Sequence, residues 1–238
     1  MTRVAHHQLE PKAIMVHETP EPDPLALLTE GALALGLELA PATLEHLQIY
    51  LEELKLWNAK TNLTALKTDR DIVIKHFLDS LAVLPFLDGS PSLADLGSGA
   101  GFPGLVLKLA RPHLALTLVE ARQRKAAFLE YLAARLRLTG VQVVQTHLTP
   151  HLARKWEPKV AAVVSRAAFI LPRLLELAAP LLAPGGVVLA LKGVRLALGE
   201  LETAGSAAQL LGLGPLEKHK YSLPISGEPR LLVMARKL

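Results

Sequence analysis

The stretch Asp95-Leu96-Gly97-Ser98-Gly99-Ala100-Gly101-Phe102-Pro103-Gly104 decides the fold. It follows the short apolar run Leu93–Leu96 and leads into a second one, Gly104–Ala110. Glycines let the backbone turn tightly and lie directly against a ligand. The free N–H groups at the start of the following helix favour a ligand carboxylate or phosphate. The reading is a strand, a ligand-binding glycine loop and a helix.

Two ligand classes compete for such a loop. A dinucleotide loop reads G-x-G-x-x-G. Aligning Gly97 and Gly99 with it puts Phe102 where the third glycine must stand. The spacing present is G-x-G-x-G, ending at Gly101, with Asp95 two residues ahead. An acid there disfavours a pyrophosphate and suits a ligand that carries an ammonium and a sulfonium. S-adenosylmethionine carries both. The next apolar run ends in Glu120, at the distance expected of an acid that accepts hydrogen bonds from both ribose hydroxyls. Glu120 could also be a solvated acid at a helix start, worth a few tenths of a kcal/mol. With the loop ahead of it, the ribose role is favoured. Leu182-Ala183-Pro184-Gly185-Gly186-Val187, a helix stop before a buried strand, adds a weak further match to an S-adenosylmethionine-dependent methyltransferase.

Outward from the loop, short apolar runs alternate with helical segments, which signals a mostly parallel, doubly wound α/β sheet. Strands are expected at Leu93–Leu96, Leu114–Glu120, Val141–Gln145, Val160–Ser165, Val187–Lys192, Leu216–Tyr221 and Arg230–Ala235. Helices are expected at Gly104–Ala110, Arg122–Leu138, Ala168–Leu182 and Leu196–Leu211, with a short, poorly formed one near Thr149–Trp156. Ser222–Pro229 is too short for a crossover helix, so the last two strands form a hairpin with one strand antiparallel. Before the sheet the pattern is helical. Helices are expected over Leu25–Leu35, from Pro41 to Trp57-Asn58, and from Asp71 to Leu84, with a polar loop over Asn58–Thr64. The division is then a loose tail over residues 1–24, a helical extension over 25–90 and a methyltransferase domain over 91–238.

Of the 238 residues, 50% are hydrophobic and 20% charged, enough for a well-buried core. The formal net charge is +4; residues 1–24 carry −2 and the remainder +6. That balance permits a nucleic-acid partner without demanding one. There are no cysteines, which removes disulfides, thiolate metal sites and thiol nucleophiles together. No apolar leader stands at the start, and the most apolar stretch, Leu174–Leu191, is interrupted by Glu176, Pro180, Pro184 and Gly185-Gly186. A cytoplasmic protein without a membrane span is expected.

Six segments, taken in order, resemble one family closely. They are Trp57-Asn58 with Asn62-Leu63-Thr64; Lys75-His76-Phe77-Leu78-Asp79-Ser80; Gly97 to Gly104; Ser165-Arg166-Ala167; Leu191-Lys192-Gly193; and Arg230 with Leu232-Val233. Together they look like the RsmG (GidB) family, and the likeness runs from about Leu25 to the C-terminus. The resemblance implies methylation of N7 of a guanine in a decoding-region loop of bacterial 16S rRNA, on the rRNA itself or a small-subunit precursor. It implies that Gly97, Phe102 and Arg166 line the cofactor site, flanked by Ser98, Gly99 and Gly101. It also places Leu148-Thr149 where the family has a small residue or valine followed by glutamate, against the adenine.

The residues agree with that chemistry. Methylation of pyrimidine C5 needs a cysteine nucleophile, which is missing. Exocyclic-amine methylation usually brings an Asn/Asp-Pro-Pro-aromatic loop, where this chain has Ser165-Arg166-Ala167-Ala168. N7 of guanine offers a free lone pair, so no general base is expected. Positioning then matters more than a catalytic side chain.

Arg124, Lys125, Lys192 and Arg230 are candidate contacts to RNA, and Arg122 stands beside them; Arg135 and Arg137 read as a solvated face. His76 and Asp79 share a helix face by spacing, and either shape a pocket for the target base or pack the helical extension on the sheet. With 10 aromatics in the chain, Trp57 reads as core rather than as a base-stacking platform. His6, His7 and His17 do not suggest a metal site, and a monomer is favoured. A small-molecule methyltransferase and a cofactor-binding ribosome-assembly factor without turnover remain the alternatives.

Overall fold

A computed structural model describes residues 23–87 and 89–238. The chain runs α1 (Pro24–Ala34), α2 (Pro41–Thr61), α3 (Asp69–Ile72), a π-helical turn (Val73–Leu78), α4 (Asp79–Leu81) and a 3-10 turn (Leu84–Leu87). There follow β1 (Ser92–Leu96), α5 (Gly104–Ala110), β2 (Ala115–Glu120), α6 (Gln123–Arg135), β3 (Val141–Gln145), α7 (Pro150–Arg154) and β4 (Val160–Arg166). The last elements are α8 (Leu171–Ala178), β5 (Leu182–Gly193), α9 (Glu200–Leu210), β6 (Glu217–Ser222) and β7 (Pro229–Arg236). All seven expected strands are present.

The strands form one sheet in the order β3-β2-β1-β4-β5-β7-β6. The first five in that order are parallel, and β7 runs antiparallel to both β5 and β6. Strand order reverses beside β1, which has β2 on one side and β4 on the other. In open α/β sheets the ligand crevice opens beyond the strand C-termini at this switch point. Leu96 of β1 pairs with Val119 of β2, so the glycine loop leaves the sheet level with Glu120.

Alternation along the strands feeds two apolar layers. Leu93, Leu116, Leu118, Val164 and Leu189 face one layer, and Ala94, Leu96, Val119, Val163 and Val188 face the other. The first layer also takes Leu28 of α1, Leu47, Leu51 and Leu54 of α2, and Phe77 of the π turn. The helices before β1 therefore share one core with the sheet.

Several boundaries differ from the sequence reading, each for a local reason. Asp23 and Pro24, assigned to the loose tail, begin α1: the Asp23 carboxylate accepts from the N–H groups of Leu25 and Ala26, and proline holds the first turn. The rest of that tail, with His6, His7 and His17, lies outside the described residues. α2 absorbs the start of the expected Asn58–Thr64 loop and stops at Asn62, whose φ of 49° is left-handed. The helix expected from Asp71 starts at Asp69, because the Thr68 hydroxyl caps it by accepting from Asp71 N–H. The helix expected over Ala168–Leu182 shrinks to Leu171–Ala178, since Pro172 sits in its first turn and leaves residues 167–170 as a loop at the sheet edge. Among the described residues no helix is long and apolar enough to cross a membrane.

Tyr50 locks α2 onto the glycine loop. Its ring stacks on Phe102 at 5.1 Å with the planes 5° apart, and its hydroxyl donates to the Ala100 carbonyl. The approach requires glycine at 101, which has a φ of 98° and where a Cβ would stand 2.5 Å from the Tyr50 hydroxyl. Tyr50→Phe should leave the buried Ala100 carbonyl without its donor and lower stability by about 1–3 kcal/mol, read from urea unfolding. An unchanged midpoint would show that the hydroxyl contributes nothing.

Candidate active site

A cavity of about 990 Å³ opens at the C-terminal ends of β1, β2, β4 and β5. One end is walled by the glycine loop, Glu120 and Leu148; the other by Thr64, His76, Asp79 and Arg230. Arg166 and Phe102 stand between the two.

The loop end is built from backbone. The N–H groups of Gly97 and Ser98 donate to the Val119 carbonyl, at 2.9 and 3.2 Å, which folds the loop back over β2. Gly97 has a φ of 71°, and a Cβ there would come within 2.5 Å of the Ala168 methyl. Ser98 is 2% exposed and its hydroxyl donates to the Asp95 carbonyl, so it shapes the turn. Each oxygen of Glu120 accepts one backbone N–H at 2.8 Å, Oε2 from Gly99 and Oε1 from Arg122. One lone pair on each oxygen is left over, and Glu120 is on the cavity wall.

Three expected cofactor contacts lie elsewhere. Asp95 does not line the cavity; it is fully buried beneath the loop, where Oδ2 accepts from Gly104 N–H at 2.9 Å. It braces the loop against α5. Among the described residues Oδ1 has no hydrogen-bond partner. Burial lifts the carboxyl to about 7, with Gly104 and Arg166 opposing and Glu120 reinforcing. Thr149 caps α7 by accepting from Leu152 N–H, and does not reach the cavity; Thr146, His147 and Leu148 do. Gly101 likewise makes room for Tyr50 and is not on the wall.

Arg166, at the end of β4, organises the other end. Nη1 donates to the Lys75 carbonyl at 2.8 Å and reaches Asp79 Oδ2 at 3.4 Å; Nη2 donates to His76 Nδ1 at 2.9 Å. The guanidinium also lies 5.2 Å from the Phe102 ring centroid, and the His76 ring stacks on Phe102 at 4.4 Å. Phe102 is thus held between Tyr50 and His76.

His76 and Asp79 do not form the pair their spacing suggested. Asp79 Oδ1 accepts from the Tyr221 hydroxyl at 2.8 Å and faces Arg230 Nε at 3.5 Å. Burial and the Asp79 carboxylate push the Tyr221 phenol up, so it remains a donor. His76 is stripped of solvent beside the Arg166 cation, and its pKa falls to about 3.

The candidate cations also sort differently. Arg124 is exposed and off the wall, whereas Arg122 and Lys125 are on it. The Lys192 ammonium is committed, at 2.6 Å from the Phe169 carbonyl and 3.0 Å from Glu200 Oε1, and so anchors the loop before α8 to α9. Arg230 is paired with Glu228 at 2.7 Å. Trp57 is half-buried and packs on Phe128 and Tyr131 at the margin of the core, off the cavity wall. Tyr50, Tyr221 and Glu200 escaped the sequence reading. Their one signal was a tyrosine in a leucine stripe or a polar residue beside a strand end.

In the folded chain Asp95 ionises near 7 against an ordinary 3.8, so folding loses stability as pH rises from about 4 to about 7. Asp95→Asn cannot ionise. Its stability relative to the parent should climb through that window and level off above it, measured by urea unfolding at a series of pH values. A constant difference would refute the assignment.

The sequence profile of GidB, described as rRNA small subunit methyltransferase G, matches residues 43–224. A Deinococcus deserti protein named ribosomal RNA small subunit methyltransferase G is 42% identical, over 91% of this chain and 89% of its own. A protein of the same name from Geobacter sp. strain M21 is 39% identical, over 87% of this chain and 95% of its own. Among solved structures, a Bacillus cereus O-methyltransferase in complex with SAH superposes with a TM-score of 0.58 at 17% identity, covering 79% of this chain and 91% of its own. That likeness concerns the fold. The profile and the close relatives concern the lineage: the chain belongs to the GidB family, rRNA small subunit methyltransferase G.

Proposed function

We propose that this chain is a cytoplasmic enzyme that transfers the methyl group of S-adenosylmethionine to N7 of a guanine in 16S rRNA. The observation that carries the reading is a cofactor cradle opening onto a wall around Arg166 where His76, Asp79, Lys75 and Glu228 are all already engaged.

The residues fit the cofactor. Glu120 is pinned by two backbone N–H groups and keeps lone pairs for a pair of ribose hydroxyls. Leu148 gives a buried apolar wall for a purine, and Gly97 clears space along the loop. When bound, S-adenosylmethionine supplies an electrophilic methyl on a sulfonium. The remaining work is positional. Arg166 fixes His76, Phe102 and the π turn relative to β4. Around Arg166 a general base is poorly provided. His76 Nδ1 already accepts from Arg166, and protonating it would set a second cation beside the first. Asp79 is held by Arg166, Tyr221 and Arg230, Lys75 is paired with Asp71, and Glu228 with Arg230. An acceptor that must lose a proton is badly served here, whereas N7 reacts through a free lone pair.

Incubating small subunits with the enzyme and cofactor, then treating the rRNA with borohydride and aniline, should cut it at a single guanine. The single-turnover rate should be flat from about pH 6 to 8.5, the range where a base-assisted acceptor would titrate. A methylated product that resists aniline would overturn the reading.

For RNA, the cavity-mouth cations Arg122 and Lys125 matter more than Lys192, which is already neutralised by Glu200. Replacing either Arg122 or Lys125 with alanine should lower the slope of log affinity against log salt by about 0.7–0.9. Lys192→Met should leave the slope unchanged. A slope lost at Lys192 instead would reverse the assignment.

A further inference from the structure

Thr64 lies on the cavity wall just beyond the end of α2, its backbone N–H held by Asn58 Oδ1 at 2.9 Å. Its hydroxyl oxygen is 2.7 Å from His76 Nε2 and accepts from Leu66 N–H at 3.2 Å. Arg166 settles the direction of the first contact. A guanidinium only donates, so the Nδ1 it meets at 2.9 Å must present a lone pair. The imidazole, neutral throughout the working pH range, therefore carries its proton on Nε2 and donates it to Thr64. The Lys75 carbonyl, 3.1 Å from Nδ1, takes its hydrogen bond from Arg166 Nη1 instead. Both lone pairs of the Thr64 hydroxyl are then used, and its own proton is left to give. Among the described residues no acceptor takes it.

We propose that the Thr64 hydroxyl donates to O6 of the target guanine and so selects guanine over adenine, with His76 and Arg166 as positioning residues. The proposal rests on the N7-guanine reading above. Guanine carries N7 and O6 as neighbouring acceptors, whereas adenine carries N7 beside an amino donor. A purine turned with N7 toward the methyl donor presents its 6-substituent on that same edge. O6 then meets the free hydroxyl proton, while an amino group would meet donor with donor and leave both unpaired. A neutral donor also suits the reaction, because methylation at N7 leaves positive charge on the purine. A hydroxyl does not oppose that charge as Lys125 would, and the Arg230 head is drawn toward Glu228 and Asp79.

The test uses small subunits whose 16S rRNA carries guanine or 2-aminopurine at the target position; 2-aminopurine keeps N7 and lacks O6. The parent enzyme should methylate guanine faster by about 10–100-fold, the value of one hydrogen bond to a desolvated partner. Thr64→Val should lose that preference by slowing on guanine alone, with affinity for S-adenosylhomocysteine unchanged. Thr64→Ser should restore it. If Thr64→Val forms N7-methylguanine with the parent's preference intact, O6 is read elsewhere and the proposal falls. If the parent's product resists aniline scission, the N7 reading fails first and takes this proposal with it.

Discussion

The guanidinium of Arg166 is the constraint on which the site depends. It stands at the end of a central strand and donates to the π turn through the Lys75 carbonyl, to His76 and to Asp79, while lying near the Phe102 ring. A lysine could supply the charge but not the planar fork that serves several acceptors at fixed angles. Because Arg166 only donates, it dictates the state of what it touches. It makes His76 an acceptor at Nδ1 and a donor at Nε2, and it helps hold the Asp79 carboxylate in place. A half-buried cation thus spreads its preference through one neutral imidazole to a hydroxyl on the cavity wall.

Energetically the arrangement trades charge against burial. Side chains of Asp79 and Arg166 are only 5% and 17% exposed, and a pair removed from water that far contributes to stability only when its other polar atoms are also met. Here they largely are, through Tyr221, Arg230, His76 and the Lys75 carbonyl. Specificity of arrangement is the return, since few other placements would satisfy all of these groups together.

The architecture was legible because it rests on local patterns. Alternating short strands, the G-x-G-x-G spacing and the acid ending β2 announce a doubly wound sheet with an adenosyl-type cleft. Partner choice was not legible. His76 and Asp79 look paired by helical spacing, yet the groups that engage Asp79 lie 87 and 142 residues away, at Arg166 and Tyr221. Lys192 looks free at a strand end until α9 brings Glu200 to it. Asp95 shows the limit within a single strand: alternation says that neighbours face opposite sides, but not which side holds the ligand.

The π turn at Val73–Leu78 carries a consequence of its own. A π turn amounts to one residue inserted into an α-helix. Each residue of an α-helix turns the chain by about 100°, so everything after the insertion is rotated by that much. In this register Asp79 faces Arg166, Tyr221 and Arg230 while Phe77 enters the core. Removing one residue from the segment would restore a regular helix and swing Asp79 about a quarter-turn off its partners. The length of this short stretch, and not only its residue types, is therefore under constraint: point substitutions can be absorbed one contact at a time, but a single-codon deletion would take Asp79 off all three of its partners at a stroke.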